Sequence, residues 1–170
     1  MGILAKILGA VSREEMDGIS LNLSEPFWEL DGEADFPRLF AGLIALLPEN
    51  SILYFEGGSP TEKLQDFLKR KSVPERARVA YGTILPRPRT FHVPAFAENL
   101  RLLAELMTAR AYPELAVHFH VYREGKVILQ WHDAFTQPML VSTEFSAEAV
   151  QQFCTLVGMK PIWKEAEPKK

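Results

Sequence analysis

Strands that alternate with helices and then run together as strands place this chain of 170 residues in the α/β or α+β class. The expected architecture is a mixed β-sheet ending in a C-terminal antiparallel meander, with helices packed mainly on one face. Three observations carry that expectation. Residues 116–133, AVHFHVYREGKVILQWHD, alternate apolar and polar at period two on either side of a glycine-bearing turn. Phe36, Leu39, Phe40, Leu43, Ile44 and Leu47 recur at helical spacing, and so do Val150, Phe153, Cys154 and Val157. No internal repeat or linker interrupts the chain, so residues 1–170 are expected to form one domain.

Taken in order, Ile3, Leu4, Ile7, Leu8 and Val11 trace a short apolar stripe over residues 1–12. Lys6 interrupts it, so it reads as an amphipathic terminal segment that docks on its own domain or on a second copy, not as a secretory signal. Residues 16–23 alternate weakly, as a first strand would. Phe27, Trp28 and Leu30 lie in an acidic stretch; they are expected to be core, or a binding patch if exposed. Residues 31–35 are acidic and turn-like, and Pro48 ends the helix that follows.

Ile52 to Phe55 is a short apolar run read as a buried strand, broken by Gly57-Gly58. Ser59-Pro60-Thr61-Glu62 then offers a cap, a proline at the first helical position and a glutamate able to close a capping box. Leu64, Phe67 and Leu68 form that helix's inner face, and Lys69, Arg70 and Lys71 suit its negative end. Val79 to Leu85 reads as a strand weakened by Gly82. Pro86, Pro88 and Pro94 keep the chain extended, and Pro94 is expected to open a long helix carrying Phe96, Leu100, Leu103, Ala104 and Met107. A third strand of the meander is expected over residues 139–145. Ser146 caps a last helix that Gly158 closes, and residues 164–170 form a loose charged tail.

The hairpin decides which side chains share a face. A two-residue loop at Glu124-Gly125 sets Tyr122 against Val127 and His118 against Trp131, mixing apolar and polar groups on both faces. A three-residue loop, Arg123-Glu124-Gly125, with Gly125 in a bulge, sets Val121 against Val127, Phe119 against Leu129 and Val117 against Trp131. One face is then uniformly apolar. The other carries His118, His120, Tyr122, Lys126, Ile128, Gln130 and His132. The three-residue loop is therefore expected, and if helices cover only one face, the histidine face lies open.

Composition is that of an ordinary globular protein, 47% hydrophobic and 24% charged with a net charge of −3. That balance argues against a generic nucleic-acid or membrane binder, and no run approaches the length of a spanning helix. The lone Cys154 leaves no internal disulfide, permits a reducing, cytoplasmic setting, and falls on the apolar stripe of its helix.

His118 and His120, two apart on a strand, share a face with His132, and nitrogen ligands so placed suit zinc, with Asp133 or Glu144 as a further ligand. The pattern lacks an HExxH or a second ligand cluster, so no metal and no cofactor is expected. His132-Asp133 invites a general-base reading, but no GxSxG elbow supplies a nucleophile. Gly57-Gly58-Ser59 lacks the phosphate-loop pattern and reads as a turn with a cap. Charge is uneven: residues 13–35 hold eight acids against Arg13, and residues 69–89 hold seven bases against Glu75.

The expected function is binding rather than chemistry. An exposed sheet face bearing His118, His120, Tyr122, Gln130 and His132, aided by Arg87 and Arg89 of the basic segment, would contact a protein partner or a second copy. The alternatives are a small metal-dependent or histidine-based hydrolase centred on residues 118, 120 and 132, and nucleic-acid binding through residues 69–89.

Overall fold

The computed structural model describes residues 18–83 and 87–166. The amphipathic segment 1–12 lies outside the described residues, as do the last residues of the charged tail. Seven strands form one sheet: β1 (Phe27–Asp31), β2 (Ile52–Glu56), β3 (Thr90–Pro94), β4 (His118–Arg123), β5 (Lys126–Trp131), β6 (Met139–Ser142) and β7 (Lys160–Lys164). Their order is β3-β2-β4-β5-β6-β1-β7, and every named pair is antiparallel. The one parallel contact among the described residues is an isolated bridge, Ile19 with Val79.

Four α-helices are described: α1 (Phe36–Leu46), α2 (Glu62–Lys71), α3 (Ala97–Leu106) and α4 (Ala147–Val157). All four bury their stripes in one core with Leu53, Phe55, Val93, Phe119, Val121, Leu129, Trp131 and Val141 of the sheet. The expected class, a sheet with helices on one face, is what forms. Asp35 caps α1 by accepting from the Arg38 N–H, and Ser146 caps α4 by accepting from the Ala149 N–H. Gly158 ends α4 in the left-handed conformation at φ 81°. Cys154 is core, and burial pushes its thiol pKa up to about 11.

Several boundaries differ from the sequence expectation. The cap of α2 is Thr61, whose side chain accepts from the Leu64 N–H, so Ser59 and Pro60 precede the helix instead of opening it. Pro94 ends β3 and does not start α3, whose N-cap is Phe96. Residues 79–83 form no named strand beyond the Val79 bridge. Strands β1, β3 and β7 lie where the alternation is too short or too proline-rich to announce a strand; Pro94 and Pro161 are tolerated because β3 and β7 are edges.

The hairpin register is also corrected. Glu124 and Gly125 form a two-residue turn, both at positive φ (51° and 76°). Tyr122 pairs with Val127, the register slips at Ile128, and beyond the slip Val121 pairs with Leu129, His120 with Gln130 and Phe119 with Trp131. The extra residue of a β-bulge thus restores the sorting that the three-residue loop was invoked to provide. Val127 joins the tyrosine and histidine side, and Ile128 joins the helix side.

Two neighbouring rows then cross the whole sheet on opposite faces. Val93, Leu53, Val121, Leu129, Val141, Trp28 and Trp163 line the helix side. His92, Tyr54, His120, Gln130, Leu140, Glu29 and Ile162 line the other.

Candidate functional site

The second face is not open at its histidine end. Two extended segments lie over it, joined by the Ile19–Val79 bridge and its hydrogen bonds, Ile19 N–H to the Arg78 carbonyl (2.8 Å) and Ala80 N–H to the Ile19 carbonyl (2.9 Å). Residues 18–23 bring Ile19, Leu21 and Leu23; a strap of residues 72–83 brings Val73, Ala77 and Val79. These side chains form a second apolar cluster with Phe27, Ile52, Tyr54, Tyr122 and Val127. The expected exposed surface is therefore interior at His118, His120 and Tyr122, all buried, while Gln130 and His132 are half-buried. The cause is a cover of irregular backbone whose apolar residues are too scattered to show a period.

Beneath the strap, three of the four histidines, His118, His120 and His132, cluster, and a buried carboxylate lies near them. Glu56, fully buried, accepts from the Tyr54 hydroxyl (2.8 Å) and from the backbone N–H groups of Gly82 (3.1 Å) and Thr83 (2.7 Å). Those two amides belong to the strap, so Glu56 is its anchor. Burial, reinforced by the Glu56 charge and hydrogen bond, drives the Tyr54 pKa far upward and keeps its proton in place. Glycine at 82 is dictated by close approach: a Cβ there would sit 2.6 Å from the His118 ring.

The rings of His118 and His132 lie 4.8 Å apart and those of His120 and His132 5.0 Å apart. His118 Nδ1 and His132 Nδ1 are hydrogen-bonded at 2.9 Å, and the Asp133 N–H donates to the same His118 nitrogen at 3.3 Å. One nitrogen accepting from a fixed N–H must carry a lone pair, so His132 is the donor of the imidazole pair. Asp133 contributes its backbone, held at φ 54°, and not a carboxylate orienting His132. Neither nitrogen of His120 has a hydrogen-bond partner. Burial holds the His120 pKa well below its ordinary value, with His132 and His118 adding like-charge repulsion. Burial and then His118 lower that of His132, against the pull of Asp133 and Glu56; burial lowers that of His92 against Glu75. His92 Nδ1 shares a 2.9 Å hydrogen bond with the Tyr122 hydroxyl.

The three sequence-predicted histidines thus converge, but among the described residues no group of three or more His, Cys, Asp or Glu side chains is arranged to hold a metal ion. Glu144, weighed as a further ligand, instead pairs with Lys126 at 3.5 Å. Ser59 donates its backbone N–H to the Pro113 carbonyl, and Gly57 donates its own to the Arg89 carbonyl. Arg87 and Arg89 are exposed on the chain entering β3, and Arg87 stacks on the Tyr81 ring at 5.7 Å.

What sequence reasoning missed lies at the opposite edge. Leu156 on α4 and Ile162 and Trp163 on β7 are 49%, 41% and 44% exposed, three of the four large hydrophobic side chains exposed among the described residues. Trp163 lies on the helix side, edge-on to Trp28 at 4.9 Å, and Ile162 on the other side. Gly158, which ends the preceding helix, and the adjacent apolar pair Ile162 and Trp163 were the sequence signals of a strand here, inside what reads as the approach to a charged tail. No family model, curated protein or solved structure matches the chain. Among the described residues no helix is long and apolar enough to cross a membrane.

Proposed function

We propose that this protein is an interaction module that docks a protein partner or a second copy through the β7 edge and the open end of its second sheet face. The observation that carries this reading is the exposure of Ile162 and Trp163 on the two faces of one edge strand. A polypeptide seated along an edge covers both faces at once, and tryptophan is the side chain most enriched among interface anchors. Pro161 removes a backbone donor from β7, and Lys160 and Lys164 flank it, features that discourage indiscriminate strand addition. Side-chain docking therefore supports the contact more than backbone pairing does.

The proposed surface is the continuation, in the same row, of the face first assigned to the histidines: Gln130, Leu140 and Glu29 lead from His120 to Ile162. Arg87 and Arg89 flank β3, six strand spacings or roughly 29 Å away, so they would steer a partner through their field and not touch it at β7. Against a histidine-centred hydrolase stands the strap, which lies between His120 and solvent. A buried lone thiol suits a reducing compartment such as the cytoplasm.

The test compares wild type with Ile162→Lys plus Trp163→Lys, by sedimentation of the purified protein and by affinity capture. A second copy or a stoichiometric protein held by wild type and lost by the variant, with circular dichroism unchanged, supports the reading. Undiminished association in the variant, or a wild type that neither self-associates nor captures a partner, ends it.

A further inference from the structure

We propose that the end of the strap at Gly82 and Thr83 is a proton-operated cover, which lifts from the histidine cluster when the imidazoles beneath it take up charge. The inference stands apart from the docking edge and rests on how the cover is held. Its anchor is one carboxylate, Glu56, on the Gly82 and Thr83 amides, and its footing is one ring, His118, against the Cα of Gly82. Both are neighbours of the only dense imidazole group in the chain.

Three features set the closed arrangement against charge on the rings, on His118 and His120 above all. The His118–His132 hydrogen bond needs a lone pair on His118 Nδ1, and the Asp133 N–H needs the same lone pair. A proton placed there opposes two donors at once. His120 has no partner for either nitrogen, so a cation on it has nothing to receive its N–H groups. The ring contacts of 4.8 and 5.0 Å set any second charge against the first. A charged His132 would also draw Glu56, the nearest buried carboxylate, and so compete with the strap amides for its oxygens.

The other groups that face the cluster do not reverse this. Tyr54 from β2 stays protonated beside Glu56, and His92 from β3 is joined to Tyr122 of β4. From the strap come Glu75, Arg76 and Tyr81. Glu75 favours charge on His92, and Arg76, placed near Tyr122, is itself cationic. Asp133 favours charge on His132, but from a side open to solvent, while burial and His118 outweigh it. Opening admits water to all the rings. For each imidazole charged only in the open state, the opening equilibrium rises about ten-fold per pH unit below about pH 6.5.

Hydrogen exchange read amide by amide, as protection factors corrected for intrinsic rates, tests this at about pH 7.5 and about pH 5.5. The Gly82 and Thr83 amides are expected to lose at least ten-fold in protection through an opening with little dependence on added urea, while those of Val121 and Leu129 stay the better protected at both pH values. His120→Leu, which replaces an unpartnered buried ring with an apolar side chain, is expected to fold and to shrink that loss; adding His132→Asn is expected to shrink it further. Equal protection at both pH values overturns the proposal. So does exchange of Gly82 and Thr83 with the same protection and urea dependence as Val121 and Leu129, which is global unfolding, or an undiminished loss in the histidine variants, which would place the cause outside the rings.

Discussion

The two ends of one row of side chains behave as different molecules. His92, Tyr54 and His120 at the β3-β2-β4 end are buried beneath the strap; Leu140 and Glu29, further along the same row, are only half-buried, and Ile162 at its end is exposed. Strand alternation treats them identically, since each is the next residue opposite in the register. What separates them is whether irregular chain crosses above. Polar groups under the cover must find partners inside the protein, which Glu56 does and His120 does not. Apolar groups beyond the cover are left facing water. The polar side chains are at the dry end and an isoleucine is at the wet end, the reverse of what burial alone would choose.

The largest effect that tests this contrast is at the anchor. Glu56→Leu leaves the Tyr54 hydroxyl and the Gly82 and Thr83 amides without an acceptor, with an expected loss of roughly 3 to 5 kcal/mol in urea unfolding. A loss under about 1 kcal/mol would mean that the strap is held by its apolar contacts instead. Next comes Gly82→Ala, whose new methyl meets His118; overpacking there is expected to remove about 1 to 3 kcal/mol and to deprotect Thr83 before the helix-side strands.

Acid should weaken the molecule from its covered end. His92, His120 and His132 have pKa values lowered on folding, so the unfolded chain binds more protons as pH falls through about 6.5. Stability is then full above that value and declines below it, by up to about 1.4 kcal/mol per pH unit for each such ring. Chemical denaturation across this range measures the slope; a flat curve would show the rings to be solvated. The slope should be smaller in His120→Phe, which also relieves two unsatisfied nitrogens and is expected to raise stability at neutral pH by about 1 kcal/mol. Smallest of all is Ile162→Lys at the open end, expected to change monomer stability by under about 0.5 kcal/mol. A loss of several times that would make Ile162 a packing residue and weaken the case for a docking edge.

Some of the site was legible and some was not, for identifiable reasons. The alternation of residues 117–122 already places His118, His120 and Tyr122 opposite Phe119 and Val121, and any folded register preserves that. The pairing across the turn was misread because a bulge at Ile128 and a longer loop give the same sorting of the outer residues. Glu56 was invisible as a site residue because a glutamate after an apolar run reads as a solvated strand end. Its partners are amides of Gly82 and Thr83, backbone groups that no sequence pattern marks.

The order of side chains along each strand, the caps Asp35 and Ser146, the stop at Gly158 and the apolar stripes of the helices follow from local periodicity and turn chemistry. These fix the four helices and strands β2, β4, β5 and β6, and they fix which residues share a face, because they act between residues a few positions apart. The strap over the histidines, the anchor at Glu56 and the bare edge at β7 arise from contacts between segments far apart in the chain, such as Gly82 with Glu56 and Ile19 with Val79. Such contacts are chosen by what remains uncovered once the sheet has formed, and only the assembled structure contains that information.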